Sequence, residues 1–175
     1  KLQLEELLTG KTTQANLDDV STLLGRPLSE DFSTQVNRLF RAKINQHLPL
    51  IPGIESALQN LPQPKATATN AKRRELDFKL ARSGLKPYFE FTICCEDVAF
   101  PKPNPEMYLR AAKALKVANQ RCLVIEDSIA GIQAGVAAGM TVFGYCRDTD
   151  KQGQMEAGAR QCFTNMEMLP SLVLC

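Results

Sequence analysis

From Lys65 onward, short β-prone runs alternate with helical patterns, and this alternation limits the possible folds more than any other feature of the chain. KATAT (Lys65–Thr69) reads as a strand, AKRRELDFKLARSG as an amphipathic helix closed by Gly84, and FEFTICC (Phe89–Cys95) as a second strand. NPEMYLRAAKALKV follows as a helix with Pro105 near its first turn, where a backbone N–H has no partner to lose. RCLVIE then reads as a buried strand, SIAGIQAGVAAG as a helix, MTVFGYC as a strand and CFT as a short last one. Parallel strands need crossovers about as long as a helix. The order therefore predicts an α/β fold, a doubly wound parallel sheet with helices on both faces. In such sheets chemistry gathers at the carboxyl ends of the strands. No internal repeat or low-complexity tract interrupts the pattern.

Residues 1–60 are helical in pattern and contain no convincing strand. Leu2, Leu4, Leu7 and Leu8 make one apolar face, and Leu17, Val20, Leu23 and Leu24 make another that Gly25 stops. Ser29 is placed to cap a further helix running through Phe32, Val36, Leu39, Phe40 and Ile44. LPLIPGIESALQNL carries Pro49, Pro52 and Gly53 and reads as a hinge into a short helix. The expected organisation is a small all-helical unit over residues 1–50 and an α/β core over 51–175.

Composition narrows the partners. The 21 basic and 19 acidic residues nearly balance, with no long run of one sign, so neither nucleic acid nor a membrane surface is expected to bind. The six cysteines include no CxxC pair and several lie in apolar runs, which suits a reducing cytoplasm better than a disulfide framework or a zinc site. No apolar stretch is long enough to cross a bilayer, and no secretory signal is visible. At 175 residues the chain is long enough to bury a proper core, and a monomer is expected.

Polar residues stand at three strand ends. Thr69 and Asn70 close the first strand and open the next helix, where a hydroxyl and free N–H groups can hold an anion; Asn70 as a simple helix cap is the other reading. Lys102, stiffened by prolines on both sides, presents an ammonium just past the second strand, although a lone loop lysine is usually solvated. Glu126 and Asp127 close the third strand. A helix cap accounts for one of these acids but not for two side by side after LVI. Carboxylate oxygens favour a hard cation such as Mg²⁺, commonly shared with a substrate phosphate whose other oxygens the hydroxyl, amides and lysine would hold.

These residues resemble the haloacid dehalogenase superfamily: Thr69-Asn70, Lys102 in KPNP, and VIEDSIAGIQAGVAAGM look like its second, third and fourth motifs. The likeness runs from about Ile51 to Cys175 and is strongest to the β-phosphoglucomutase-like and sugar-phosphate phosphatase branch. Lys1 to about Leu50 resembles, more weakly, the helical cap of such enzymes. The resemblance implies a Mg²⁺-dependent phosphatase acting on a small phosphorylated metabolite, a sugar or sugar-acid phosphate, through a phospho-aspartyl intermediate. Thr69 would bind the phosphoryl group by its hydroxyl and Asn70 by its backbone N–H. Lys102 would neutralise charge shared by phosphate and nucleophile. Asp127 would ligate Mg²⁺, with Glu126 a second ligand or the holder of a metal-bound water.

The family's first motif, a strand ending in Asp-x-Asp that supplies the nucleophile, is not found. Asp18-Asp19 lies in a helical pattern, and Asp148-Thr149-Asp150 comes too late in the chain. In the family that strand runs between those ending at Thr69 and at Asp127. The expectation is a longer protein in which some tens of residues carrying the motif precede this chain, the 175-residue chain alone being inactive and poorly folded. Two alternatives stay open: a sugar-phosphate mutase, and a non-catalytic relative if the motif is truly absent. A response-regulator receiver is disfavoured, because its acid pair precedes its Thr and Lys. His47, the only histidine, reads as a surface or hinge residue; Lys72, Arg73 and Arg74 as a solvated face; Met155, Met166 and Met168 as core or near-surface filler.

Overall fold

The computed structural model describes residues 10–146 and 150–174. The apolar face expected over Leu2–Leu8, together with Asp148 and Thr149, lies outside the described residues. The helical region consists of α1 (Thr13–Leu24) and α2 (Phe32–Gln46), followed by the short α3 (Ile54–Asn60). Gly25 ends α1 as foreseen: at φ 62° it takes the left-handed conformation that glycine adopts without a Cβ penalty. Ser29 is not the cap of α2. Its carbonyl accepts from the Phe32 N–H, a tight turn that delays the helix and leaves Asp31 at the cap position without a side-chain bond. The apolar faces are less covered than their pattern implies. Leu23, Leu24, Val36, Leu39 and Phe40 are exposed, and Ile44 is the buried residue of α2. Two cation–π contacts, Lys79 over Phe40 and Arg41 over Phe78, tie α2 to the core.

The core carries β1 (Ala66–Thr69), α4 (Arg73–Ser83), β2 (Phe91–Cys94), α5 (Glu106–Leu115), β3 (Leu123–Glu126) and α6 (Ile129–Ala137). It continues through β4 (Thr141–Tyr145), α7 (Lys151–Glu156), β5 (Gln161–Phe163) and α8 (Leu169–Leu174). Each pairing is parallel: β1 with β2, β3 with β4, β4 with β5. Among the described residues β1–β2 and β3–β4–β5 form separate ladders.

Strand alternation sends side chains to opposite faces, and both faces are covered. Val124 and Val142 pack with Tyr108 and Ala112 of α5 and Ile132 and Ala134 of α6. Leu123, Ile125, Phe143 and Phe163 pack on the other face with Ala57 of α3 and Leu169 of α8. Glu126, two residues after Val124, therefore points to the α5–α6 side. The five described cysteines are free thiols, and no described helix is long and apolar enough to cross a membrane.

Candidate active site at three strand ends

The carboxyl ends of β1 and β3 and the loop after β2 open on one cleft of ≈ 320 Å³. Thr69, Asn70, Lys102, Glu126 and Asp127 all line it, so the structure brings together every site residue predicted from the sequence. Gly10, Lys11, Thr13 and Asn16 of the helical region close its other side.

Glu126 is the most heavily engaged group. Its Oε1 accepts from the Tyr108 hydroxyl at 2.6 Å and pairs with the Lys102 ammonium. Its Oε2 accepts from the Ser128 hydroxyl at 2.9 Å and the Ser128 N–H at 3.3 Å. Burial alone would push this carboxyl up. The Lys102 charge and the hydrogen bonds from Lys102, Tyr108 and Ser128 outweigh it and hold the carboxyl below its usual range. Burial and the adjacent Glu126 charge raise the Tyr108 phenol, so it stays protonated as a donor.

Gly131 of the EDSIAG phrase now has a physical reason: a Cβ there would overlap the Glu126 carboxyl atoms. Gly131→Ala is expected to force Glu126 aside and lower stability by about 1–3 kcal/mol, the usual range for overpacking, as read from urea unfolding.

Lys102 is not a solvated loop lysine; it is 8 % exposed. Its Nζ donates to the Ala68 carbonyl at 2.9 Å, pairs with Glu126 and lies 4.9 Å from the centre of the Tyr108 ring. Nor is Asn70 a helix cap. Helix α4 starts at Arg73, whose N–H donates to Glu96 Oε2 at 2.7 Å. The Asn70 amide instead grips the Lys102 backbone from both directions, its Oδ1 accepting from the Lys102 N–H and its Nδ2 donating to the Lys102 carbonyl, each at 3.0 Å. That Nδ2 also donates to the Gly10 carbonyl at 2.9 Å. The Thr69 hydroxyl accepts from the Ala71 N–H at 3.1 Å.

Asp127 differs from its neighbour. It faces the cleft with an exposed side chain, and among the described residues no cation pairs with it. Desolvation by the cleft walls and the Glu126 charge beside it raise its carboxyl. A hard oxygen ligand with no salt-bridge partner among the described residues, lining a polar cleft, is the chemistry that a divalent cation satisfies. No group of three His, Cys, Asp or Glu residues able to hold a metal occurs among the described residues. The fit to Mg²⁺ therefore rests on Asp127, with Glu126 adjacent and further oxygens drawn from elsewhere.

Sequence reasoning missed Tyr108, which lies in the helix NPEMYLRAAKALKV. Its only signal was a hydroxyl on an otherwise apolar helix face. His47 is exposed at the end of α2, and of the basic trio Lys72 and Arg74 are exposed while Arg73 pairs with Asp97.

A family model described as haloacid dehalogenase-like hydrolase matches residues 3–139. Among curated relatives, 6-phosphogluconate phosphatase of Escherichia coli is 27% identical over 79% of this chain and 65% of its own length. Phosphorylated carbohydrates phosphatase of Thermotoga maritima is 30% identical over 74% of this chain and 62% of its own. The chain thus spans less than two thirds of either relative's length. A solved conserved haloacid dehalogenase-like protein of unknown function from Agrobacterium tumefaciens superposes with a TM-score of 0.84 at 28% identity, covering 98% of this chain and 81% of that one.

Proposed function

Because this chain belongs to the haloacid dehalogenase-like hydrolases, we propose that the protein is a Mg²⁺-dependent phosphatase. It would hydrolyse a small phosphorylated metabolite, a sugar or sugar-acid phosphate, through a phospho-aspartyl intermediate. The observation that carries this reading is the convergence of the Thr69 hydroxyl, the Lys102 ammonium and the Asp127 carboxylate on one cleft.

Each residue has a task. The Thr69 hydroxyl and the Asn70 N–H hold phosphoryl oxygens, and Lys102 offsets the charge that phosphate and nucleophile share. Glu126 and Tyr108 keep that ammonium aimed. Asp127 would hold Mg²⁺, with Glu126 beside it as second ligand or as support for a metal-bound water. When bound, the ion supplies charge neutralisation and orients the phosphoryl oxygens. Residues 10–50 act as part of a helical cap whose Lys11, Thr13 and Asn16 face the rest of the substrate. Asn16 Oδ1 is buried without a partner among the described residues, an acceptor suited to a sugar hydroxyl. The names of the two phosphatases that this chain resembles point to the same substrate class.

The test is phosphate release by the complete protein with Mg²⁺ from a panel of sugar phosphates, sugar-acid phosphates and phosphoglycolate. Turnover of at least one member, abolished by EDTA, is expected. Isomerised sugar phosphate without free phosphate would make the protein a mutase, and no turnover of any kind would leave a binding protein.

A further inference from the structure

Gln154 of α7 has no task in the chemistry above, yet it is the most deeply buried polar residue described, at 1 % exposure. Its Nε2 donates to two carbonyls at once, that of Asp127 at 2.9 Å and that of Tyr145 at 3.1 Å. Those carbonyls lie at the ends of β3 and β4, immediately beyond the paired Glu126 and Gly144 and where the ladder stops. The Oε1 of the same amide accepts from the Cys162 thiol at 3.5 Å. Position 144 has room for this amide only because it is glycine, since a Cβ there would overlap Oε1. One side chain, admitted by a glycine and fixed by a thiol, thus staples the two strand ends that flank the cleft.

The staple bears on one peptide in particular. The Asp127 carbonyl belongs to the Asp127–Ser128 unit, and Ser128 is pinned on its other side, its hydroxyl accepting from the Gly131 N–H at 3.1 Å to cap α6. With Glu126 held in the β3–β4 ladder before it and its own carbonyl and Ser128 held after it, Asp127 sits between fixed backbone points, and the direction of its Cα–Cβ bond follows from them. We infer that Gln154 is a positioning residue for the cation site: by holding the Asp127 carbonyl it sets the direction in which the Asp127 carboxylate faces the cleft. This inference rests on the reading of Asp127 as the Mg²⁺ ligand. Partners that orient a metal ligand typically change metal affinity about 10–100-fold when removed.

The experiment measures Mg²⁺ binding to the complete protein by titration calorimetry without substrate, alongside urea unfolding without metal. Gln154→Met keeps the length and removes both donors; it is expected to raise the Mg²⁺ Kd about tenfold or more. Gln154→Asn keeps the amide but draws it back one methylene, and is expected to raise the Kd severalfold, which decides the matter if the Met variant does not fold. An unchanged Kd in a folded variant that has only lost stability overturns the positioning role and leaves Gln154 a strand staple. Asp127→Asn separates the two levels. If it binds Mg²⁺ as the parent does, the metal reading itself fails; if it loses binding while both Gln154 variants keep it, only the positioning role fails.

Discussion

Asp127→Asn in the complete protein is expected to lower Mg²⁺-dependent phosphate release about 10²–10⁴-fold, the rate equivalent of losing several kcal/mol of charge stabilisation. The amide keeps the shape of the side chain and removes its charge, and no described residue depends on that carboxylate for a partner. The metal-free fold should therefore survive. The sign of its change follows from the raised carboxyl: a group that is harder to ionise when folded weakens the fold once pH exceeds its pKa, so a neutral amide leaves metal-free stability at pH 7 unchanged or higher. Steady-state kinetics with a Mg²⁺ titration, read beside a thermal midpoint, checks both halves. Full activity in the variant would place the cation elsewhere.

Lys102→Met should be the most damaging single change to the fold. The side chains of Lys102 and Glu126 are 5% and 10% exposed, and removing one partner of so buried a pair leaves an uncompensated charge, typically about 3–5 kcal/mol of stability. The loss should depend on pH in a definite way. The Glu126 carboxyl is held below its usual range by Lys102, so the parent has this stabilisation above the unfolded value of about 4.3 and loses it as pH falls through the folded one. In Lys102→Met that acid-side loss should shrink or reverse, because burial then dominates. The double variant Lys102→Met/Glu126→Gln should regain most of the stability at pH 7 while remaining inactive. Urea unfolding at pH 4 and pH 7 measures the first effect, and phosphate release the second. A single variant as stable as the parent would mean that the ion pair contributes nothing to folding.

The core was legible because its strands are short apolar runs cut off abruptly by polar residues. KATAT, FEFTICC, RCLVIE, MTVFGYC and CFT each contain the observed strand or overlap most of it. The convergence of Thr69, Lys102, Glu126 and Asp127 could be foreseen because parallel topology puts the carboxyl ends of all the strands on one side. What escaped was the particular pairing of side chains from distant segments. Tyr108 meets Glu126 across 18 positions, and Asn70 meets Lys102 across 32. Local pattern carries no trace of either meeting. The Asn70 side chain looked like a cap because asparagine before a helix usually is one; here α4 begins too late for it and the amide found a loop backbone instead. In the helical region, periodicity gave the apolar stripe of α2 but not its neighbour, and much of that stripe is exposed.

The three-way grip of Asn70 adds a link between the start of the helical region and the loop that carries Lys102. One small amide holds the Gly10 carbonyl with a hydrogen of its nitrogen and the Lys102 backbone with the rest of its bonding capacity. Any swing of the N-terminal helices that carries Gly10 away must break that hydrogen bond, and the latch it leaves is the same one that steadies the Lys102 backbone. One wall of the cleft and the backbone that presents its buried ammonium thus share a single amide, so Asn70→Ala would unfasten both together.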